Sequence, residues 1–312
     1  MNAIVPPPLA RPPGLSPERS GLHGEPRPLE ETVRLGMPQL ALGGLSEGWL
    51  LKDLGHRHWM MLAAMAGRAV PDFRDIDGAP VYAAFSALAI HDARFAALGE
   101  NDTLAIRSSI ARLSRTQCAS RHVLSRAGEP MGTVELVSTF VRRGSGGGNH
   151  QVARVALEGF PPPAAPSAGT CADSLAGRAA ALRARRLDRH FGFDLRPYVE
   201  RDAEAGEAGE AGPYIEVDPC PAQDFNGAGF LYFASFVSFI DRAEWHFDGR
   251  QAPRAATLRR EVFFHANVDP GERVRVRWLG QRRGDGRLAH HCRLERMSDG
   301  ARLAEAFTLR AV

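Results

Sequence analysis

The sequence predicts an α+β fold of two fused units, each an antiparallel sheet wrapped around an apolar helix. Two blocks, about 36–160 and 213–312, carry the same order of elements. One segment of the second block, Phe230 to Ile240, is apolar on nearly every side, and a helix of that kind must be buried all round. A turn rich in Gly and acidic residues, followed by a strand with period-two alternation, occurs once in each block.

The elements follow in chain order. Residues 1–35, rich in Pro, Gly, Arg and Glu, read as a disordered tail. The first block then predicts a helix from Ser46 to Ala66, with Ser46 as N-cap and Glu47 in the first turn. Its strand Val81–Ser86 has a counterpart in Arg260–His265, and the Gly99–Arg107 run resembles Gly271–Arg277. Residues 161–212 read as a flexible linker, with Pro161–Pro163 at its start and a Glu-Ala-Gly repeat from Glu204 to Gly212. A short helix is expected inside it, around Ser174–His190. The second helix is expected from Asn226 to Trp245, capped by Asn226. A twisted antiparallel sheet can curl around such a helix, which is the hot-dog arrangement; two fused copies make a double hot-dog. The fused pair meets within one chain the pairing that single units reach by dimerising; assembly into a homo-oligomer stays open.

Composition narrows the function classes. A net charge of +3 is too small to argue for nucleic acid. No stretch approaches the roughly 20 apolar residues that cross a bilayer, and the Pro-rich start lacks the features of a signal peptide. The four cysteines are far apart and form no CxxC pair, so reduced thiols in a cytoplasm are expected, with no metal site.

Candidate site residues cluster at the second helix. Unpaired N–H groups at a helix start, aided by the dipole, favour a carbonyl oxygen that gains negative charge. Asn226 and Gly227 are the candidates for this role; equally, Asn226 caps a buried helix and the glycine eases packing. Tyr82 stands in an otherwise small, apolar strand, either as a packed core tyrosine or as a phenol facing a cleft between units. Tyr232, Ser235, His265, Asn267 and Glu47 are candidate substrate contacts. The arginine pairs at 142–143, 185–186, 259–260 and 282–283 read as solvated surface, or as a cluster for a phosphopantetheine phosphate or an acidic carrier protein.

The run Asn226–Phe236 resembles the second helix of the leinamycin-type bifunctional acyltransferase/decarboxylase family. Asp77–Phe85 resembles that family's tyrosine-bearing strand, and Phe264–Asn267 a later strand. The resemblance implies a double hot-dog enzyme of polyketide-type metabolism. Such an enzyme takes malonyl- or methylmalonyl-CoA, transfers the acyl group to an acyl carrier protein and decarboxylates it. It places Tyr82 on the family's active-site tyrosine, as acyl carrier or orienting donor. The CoA or phosphopantetheine thioester is the substrate, and no cofactor is needed. Two rivals stand beside this reading. One is a hot-dog thioesterase or 3-hydroxyacyl dehydratase, whose base would come from Glu47, Asp224 or His265. The other is a non-catalytic scaffold that binds acyl carriers.

Overall fold

Residue alternation along strands decides which side chains face a helix and which face away, and in this chain it builds one two-sided sheet. In the computed structural model of the protein, the described residues are 28–144, 146–163, 173–197, 212–248, 250 and 252–312. The first unit comprises β1 (Leu29–Arg34), α1 (Glu47–Met65), β2 (Pro80–His91), β3 (Thr103–Arg112), β4 (Gln117–Arg126) and β5 (Glu129–Arg143). A helix α2 (Leu175–Arg183) lies between the units. The second unit comprises β6 (Tyr214–Val217), α3 (Phe233–Phe247), β7 (Ala256–Phe264), β8 (Val274–Gly284), β9 (Arg287–Arg296) and β10 (Arg302–Ala311).

These strands join one antiparallel sheet in the order β1-β3-β4-β5-β2-β7-β10-β9-β8-β6. The order reads the same from either edge once the units are exchanged, so a pseudo-two-fold passes through the β2–β7 seam. At the seam Ala87, Leu88, Ala89 and Ile90 pair with Phe263, Val262, Glu261 and Arg260. Leu88, Ile90 and Val262 point to the concave face and join the core around both helices. Ala87, Ala89 and Phe263 point the other way, against Leu175, Ala179 and Leu182 of α2. The double hot-dog expected from the sequence is the fold. The β8–β9 hairpin turns through Asp285 and Gly286, both at positive φ (51° and 66°), the pairing a type I′ turn demands.

Four expectations need correction. The tail was expected to reach residue 35, yet Leu29–Arg34 pairs with β3. As an edge strand with mostly exposed side chains it pairs through backbone groups and leaves no apolar signature. Residues 1–27 lie outside the described residues, as does most of the Glu204–Gly212 repeat. The linker is in part a packed strap rather than a flexible tract. Its helix, capped by Ser174 accepting from the Gly177 N–H, is shorter than expected and ends at Arg183; His190 lies in a two-residue strand pair. The strap is pinned by Glu261, which is fully buried on the outer face of β7. Arg178 donates to both its oxygens at 2.9 and 3.1 Å, His190 at 3.0 Å and Arg259 at 2.7 Å. The arginine pairs are not simply solvated surface: Arg260 is fully buried, and Arg142 binds Asp75 and Asp77.

The fourth correction concerns α3, which starts at Phe233 rather than Asn226. The Asn226 carboxamide oxygen accepts from the N–H groups of Ala228 and Phe230 and holds a tight turn in which Gly229 has φ +76°. That local bond competes with helix formation for seven residues. Helix α1 agrees with its expectation: Ser46 caps it by accepting from the Trp49 N–H.

The first unit also buries a polar chain that sequence reading did not single out. His58 on α1 bonds Ser120 (2.7 Å) and Ser138 (2.8 Å), and His122 bonds Ser120 (2.9 Å) and Ser108 (2.8 Å). Burial pushes both imidazoles down to about 3, with His58 and Arg57 nearby adding to the effect at His122. Below pH 6.5 the unfolded chain binds protons at these rings that the folded chain refuses, so stability falls as pH falls. From pH 6.5 to pH 5 the two histidines alone are expected to remove about 3 kcal/mol. Urea unfolding at both pH values measures this, and an unchanged midpoint would contradict a neutral buried pair.

Candidate functional site

Two helix starts face the opposite helix across the pseudo-two-fold, and they are built very differently. Gly55 of α1 and Asp241 of α3 both stand nine positions beyond their helix's N-cap (46 to 55, 232 to 241). At the start of α3 the space opposite Gly55 is filled by aromatic rings. A Cβ on Gly55 would sit 2.7 Å from the Tyr232 hydroxyl and 2.8 Å from the Phe233 ring. Phe233 packs on Phe85 with ring centroids 4.3 Å apart, and the Tyr232 hydroxyl donates to the Lys52 carbonyl at 3.4 Å. Burial, with Asp53 nearby, pushes the Tyr232 phenol up to about 12 and keeps it a donor.

At the start of α1 the matching space is open and lined by both polar and apolar side chains. Ser46, Glu47 and Gly48 line a cavity of about 290 Å³ together with Val237, Ser238 and Asp241 of α3 and Thr257 and Arg310 of the sheet. Glu47 accepts from the Thr257 hydroxyl, lies 3.3 Å from Arg260 Nε and 3.6 Å from Arg310 Nη1. The N–H groups of Glu47 and Gly48, at the first turn of α1, have no hydrogen-bond partner among the described residues. Among the described residues Asp241 is held by one oxygen only: Arg260 Nη2 and Arg310 Nη2 each donate to Oδ1 at 2.6 Å. Burial alone would favour neutral arginines, but Asp241 and Glu47 outweigh it and raise Arg260, and Asp241 and Glu244 do the same for Arg310. The two cations therefore stay charged, Arg310 in the cavity lining and Arg260 fully buried against Glu47 and Asp241.

The expected site residues divide between these places. Glu47 lies in the open cavity. Tyr82 lies at the other helix start, half-buried, with its ring 5.5 Å from Phe230 of the opposite unit and under Arg143. Asn226 serves its own turn, so its role as helix cap is overturned. Gly227 sits exposed in that turn and not at a helix start, which removes the reason for placing an oxyanion donor there. Ser235 donates to the Asp224 carbonyl at 3.2 Å, and Asn267 clamps both backbone groups of Leu231 at 2.9 and 3.1 Å; these bonds shape the loop. Asp224 is buried and accepts from the Cys220 N–H. His265 does not line the cavity; burial pushes its imidazole down to about 4.

Sequence reading missed Asp241, Thr257, Arg310 and Asn149. Asn149 ties the units together: it donates to the Gly229 and Val268 carbonyls, both at 2.7 Å, and accepts from Arg143. The only available signal was the matched position of Gly55 and Asp241 in the two helices, visible once the second helix is started at Phe233. Among the described residues, His150, Asp269 and Glu272 form one trio of metal-capable side chains. Its members bond one another, with His150 Nε2 2.6 Å from Glu272.

No protein-family model matches the sequence, and no curated protein sequence does. Solved structures do match in shape. An acyl-ACP thioesterase from Bacteroides thetaiotaomicron aligns over 91% of this chain and 97% of its own, at 9% identity and a TM-score of 0.56. A 12:0-ACP thioesterase from Umbellularia californica covers 91% and 93% at 9% identity, with a TM-score of 0.57. A Lactobacillus plantarum structure named an oleoyl thioesterase covers 91% and 95% at 10% identity, with a TM-score of 0.60. At such identities the likeness concerns the fold, and the fold of this chain is the double hot-dog.

Proposed function

We propose that the protein hydrolyses acyl thioesters, carried on CoA or on an acyl carrier protein, in the cavity at the start of α1. One observation carries this reading: a helix start and a carboxylate of the opposite unit share a cavity, and among the described residues the first two N–H groups of that helix and one oxygen of that carboxylate have no partner. The thioester carbonyl points at the N–H groups of Glu47 and Gly48. Asp241 Oδ2 takes a proton from a water as its oxygen attacks the carbonyl carbon. The tetrahedral oxyanion is held by the two N–H groups, the C–S bond breaks, and the departing thiolate takes up a proton. This chemistry requires no metal or organic cofactor. The names of the structural neighbours favour hydrolysis over the transfer and decarboxylation that the sequence resemblance implies.

The acyltransferase/decarboxylase reading is kept for a specific reason. The Tyr82 hydroxyl has no hydrogen-bond partner among the described residues, as an acyl carrier or orienting donor would require. Mass spectrometry of the protein incubated with acyl-CoA and acyl-carrier substrates, malonyl- and methylmalonyl-CoA included, separates the two. Free acid and thiol, with no loss of carbon dioxide, support hydrolysis. Acetyl or propionyl thioesters would replace it with transfer and decarboxylation. Under the hydrolase reading, Tyr82→Phe keeps kcat within about threefold, because a phenol outside the cavity takes no part. A loss of about 100-fold in a folded variant would move the chemistry to Tyr82.

A further inference from the structure

Behind the cavity floor lies a second layer of polar groups that the proposed reaction does not touch. Glu244 stands one turn beyond Asp241 on α3 and is 5% exposed. Its Oε2 accepts from Arg310 Nε at 2.9 Å and from His290 Nε2 at 2.6 Å. His290, on β9, is fully buried and stacked on Trp278 with ring centroids 4.6 Å apart. Its Nδ1 faces the Cys292 thiol at 3.4 Å. Burial lowers its affinity for a proton more than Glu244 raises it, so the ring is neutral and carries its hydrogen on Nε2. Glu244 is held to about 2, because the His290 hydrogen bond and the Arg310 charge outweigh the cost of its burial.

The guanidinium of Arg310 is therefore gripped from behind and presents its other two nitrogens forward. Nη1 donates to the Thr257 hydroxyl oxygen at 2.9 Å, and with that oxygen engaged the Thr257 hydrogen goes to Glu47. Nη2 donates to Asp241 Oδ1 at 2.6 Å. A rigid planar fork transmits orientation between its ends in a way a flexible ammonium does not.

We propose that Glu244 and His290 are positioning residues: together they set the plane of Arg310, which in turn orients Asp241 and the Thr257–Glu47 pair in the cavity. The inference rests on the hydrolase reading above. It acts on orientation rather than on substrate binding, so loss of His290 should lower kcat and leave KM nearly unchanged. A glutamine at this position can still donate to Glu244, whereas a leucine cannot.

The test compares wild type, His290→Leu, His290→Gln and Glu244→Met by steady-state kinetics on an acyl-CoA. A second readout is hydrogen exchange at the Arg310 Nε–H, followed by side-chain NMR. The expected result is a kcat at least about tenfold lower in His290→Leu, with KM within twofold and a rapidly exchanging Arg310 Nε–H. His290→Gln should restore both to within about threefold of wild type. Glu244→Met, close in size but with no oxygen to accept from Arg310 or His290, covers the case in which His290→Leu does not fold, and it should lose protection and kcat together. Equal losses in the leucine and glutamine variants at position 290, or a protected Nε–H and normal kcat in His290→Leu, would overturn the proposal. No thioester turnover by wild type, with protection still lost in His290→Leu and kept in His290→Gln, would remove the hydrolase reading and the catalytic part of this one. The clamp on Arg310 would stand.

Discussion

Asp241→Asn is expected to lower kcat for thioester hydrolysis by about 10²–10⁴-fold while leaving the fold intact. The side-chain amide retains an oxygen that can accept from Arg260 and Arg310, so the floor of the cavity keeps its geometry. What it lacks is the second carboxylate oxygen, the acceptor for the proton of the attacking water. Because that role is confined to the reacting step, KM should change little. The measurement is steady-state hydrolysis of an acyl-CoA by a variant whose circular dichroism and thermal midpoint match wild type. Retention of full kcat would exclude Asp241 as the base and return attention to Glu47. That residue is a weaker candidate, since its two oxygens already face Thr257 and two arginines.

The largest effect on stability is expected from Glu261→Ala, far from the cavity. Glu261 is fully buried and pairs with Arg178, Arg259 and His190 at once. Burial alone would push its carboxyl up; the His190 hydrogen bond and the neighbouring arginines outweigh that and hold it to about 2. Removing the carboxylate strands its partners in or near the interior, which costs about 3–5 kcal/mol. It also detaches the strap that carries α2 across the seam, so apolar side chains such as Leu175 and Leu182 lose their cover. Equilibrium denaturation measures the loss. A change below about 1 kcal/mol would mean that the strap contributes little to holding the units together. Activity at a temperature where the variant is folded should stay close to wild type, which separates this role from that of Asp241.

The parts of the fold that sequence reading recovered share a physical basis. Helix α1 was legible because its cap and its buried leucines are encoded within one turn of each other. The strand repeats were legible because a buried face imposes period two, and the glycine turns at 99 and 271 punctuate them. The apolar character of the first half of α3 was legible for the same reason, since nearly every side chain from Phe233 to Ile240 is buried. The start of α3 was not, because an Asn followed by glycines serves equally as a helix cap or as a closed turn. Which of the two forms depends on Asn149 and Asn267, held 77 and 41 positions away in sequence (149 to 226, 226 to 267), gripping the same loop.

The site divides along the same line. The sequence by itself determined that this chain makes two helix-wrapping units and that Glu47 stands at the start of the first helix. Only the tertiary structure decided which helix start stays open. Gly55 and Asp241 occupy matched positions, yet Tyr232 and Phe233 fill the space at one and two arginines surround the other. Asp241, Thr257, Arg260 and Arg310 come from α3, β7 and β10 and meet Glu47 from α1. A cluster whose members are separated by up to 263 positions (47 to 310) has no local periodicity or spacing to betray it. It exists because closing the β2–β7 seam brings each unit's helix start against the other unit's helix, and that closure is a property of the assembled sheet rather than of any segment.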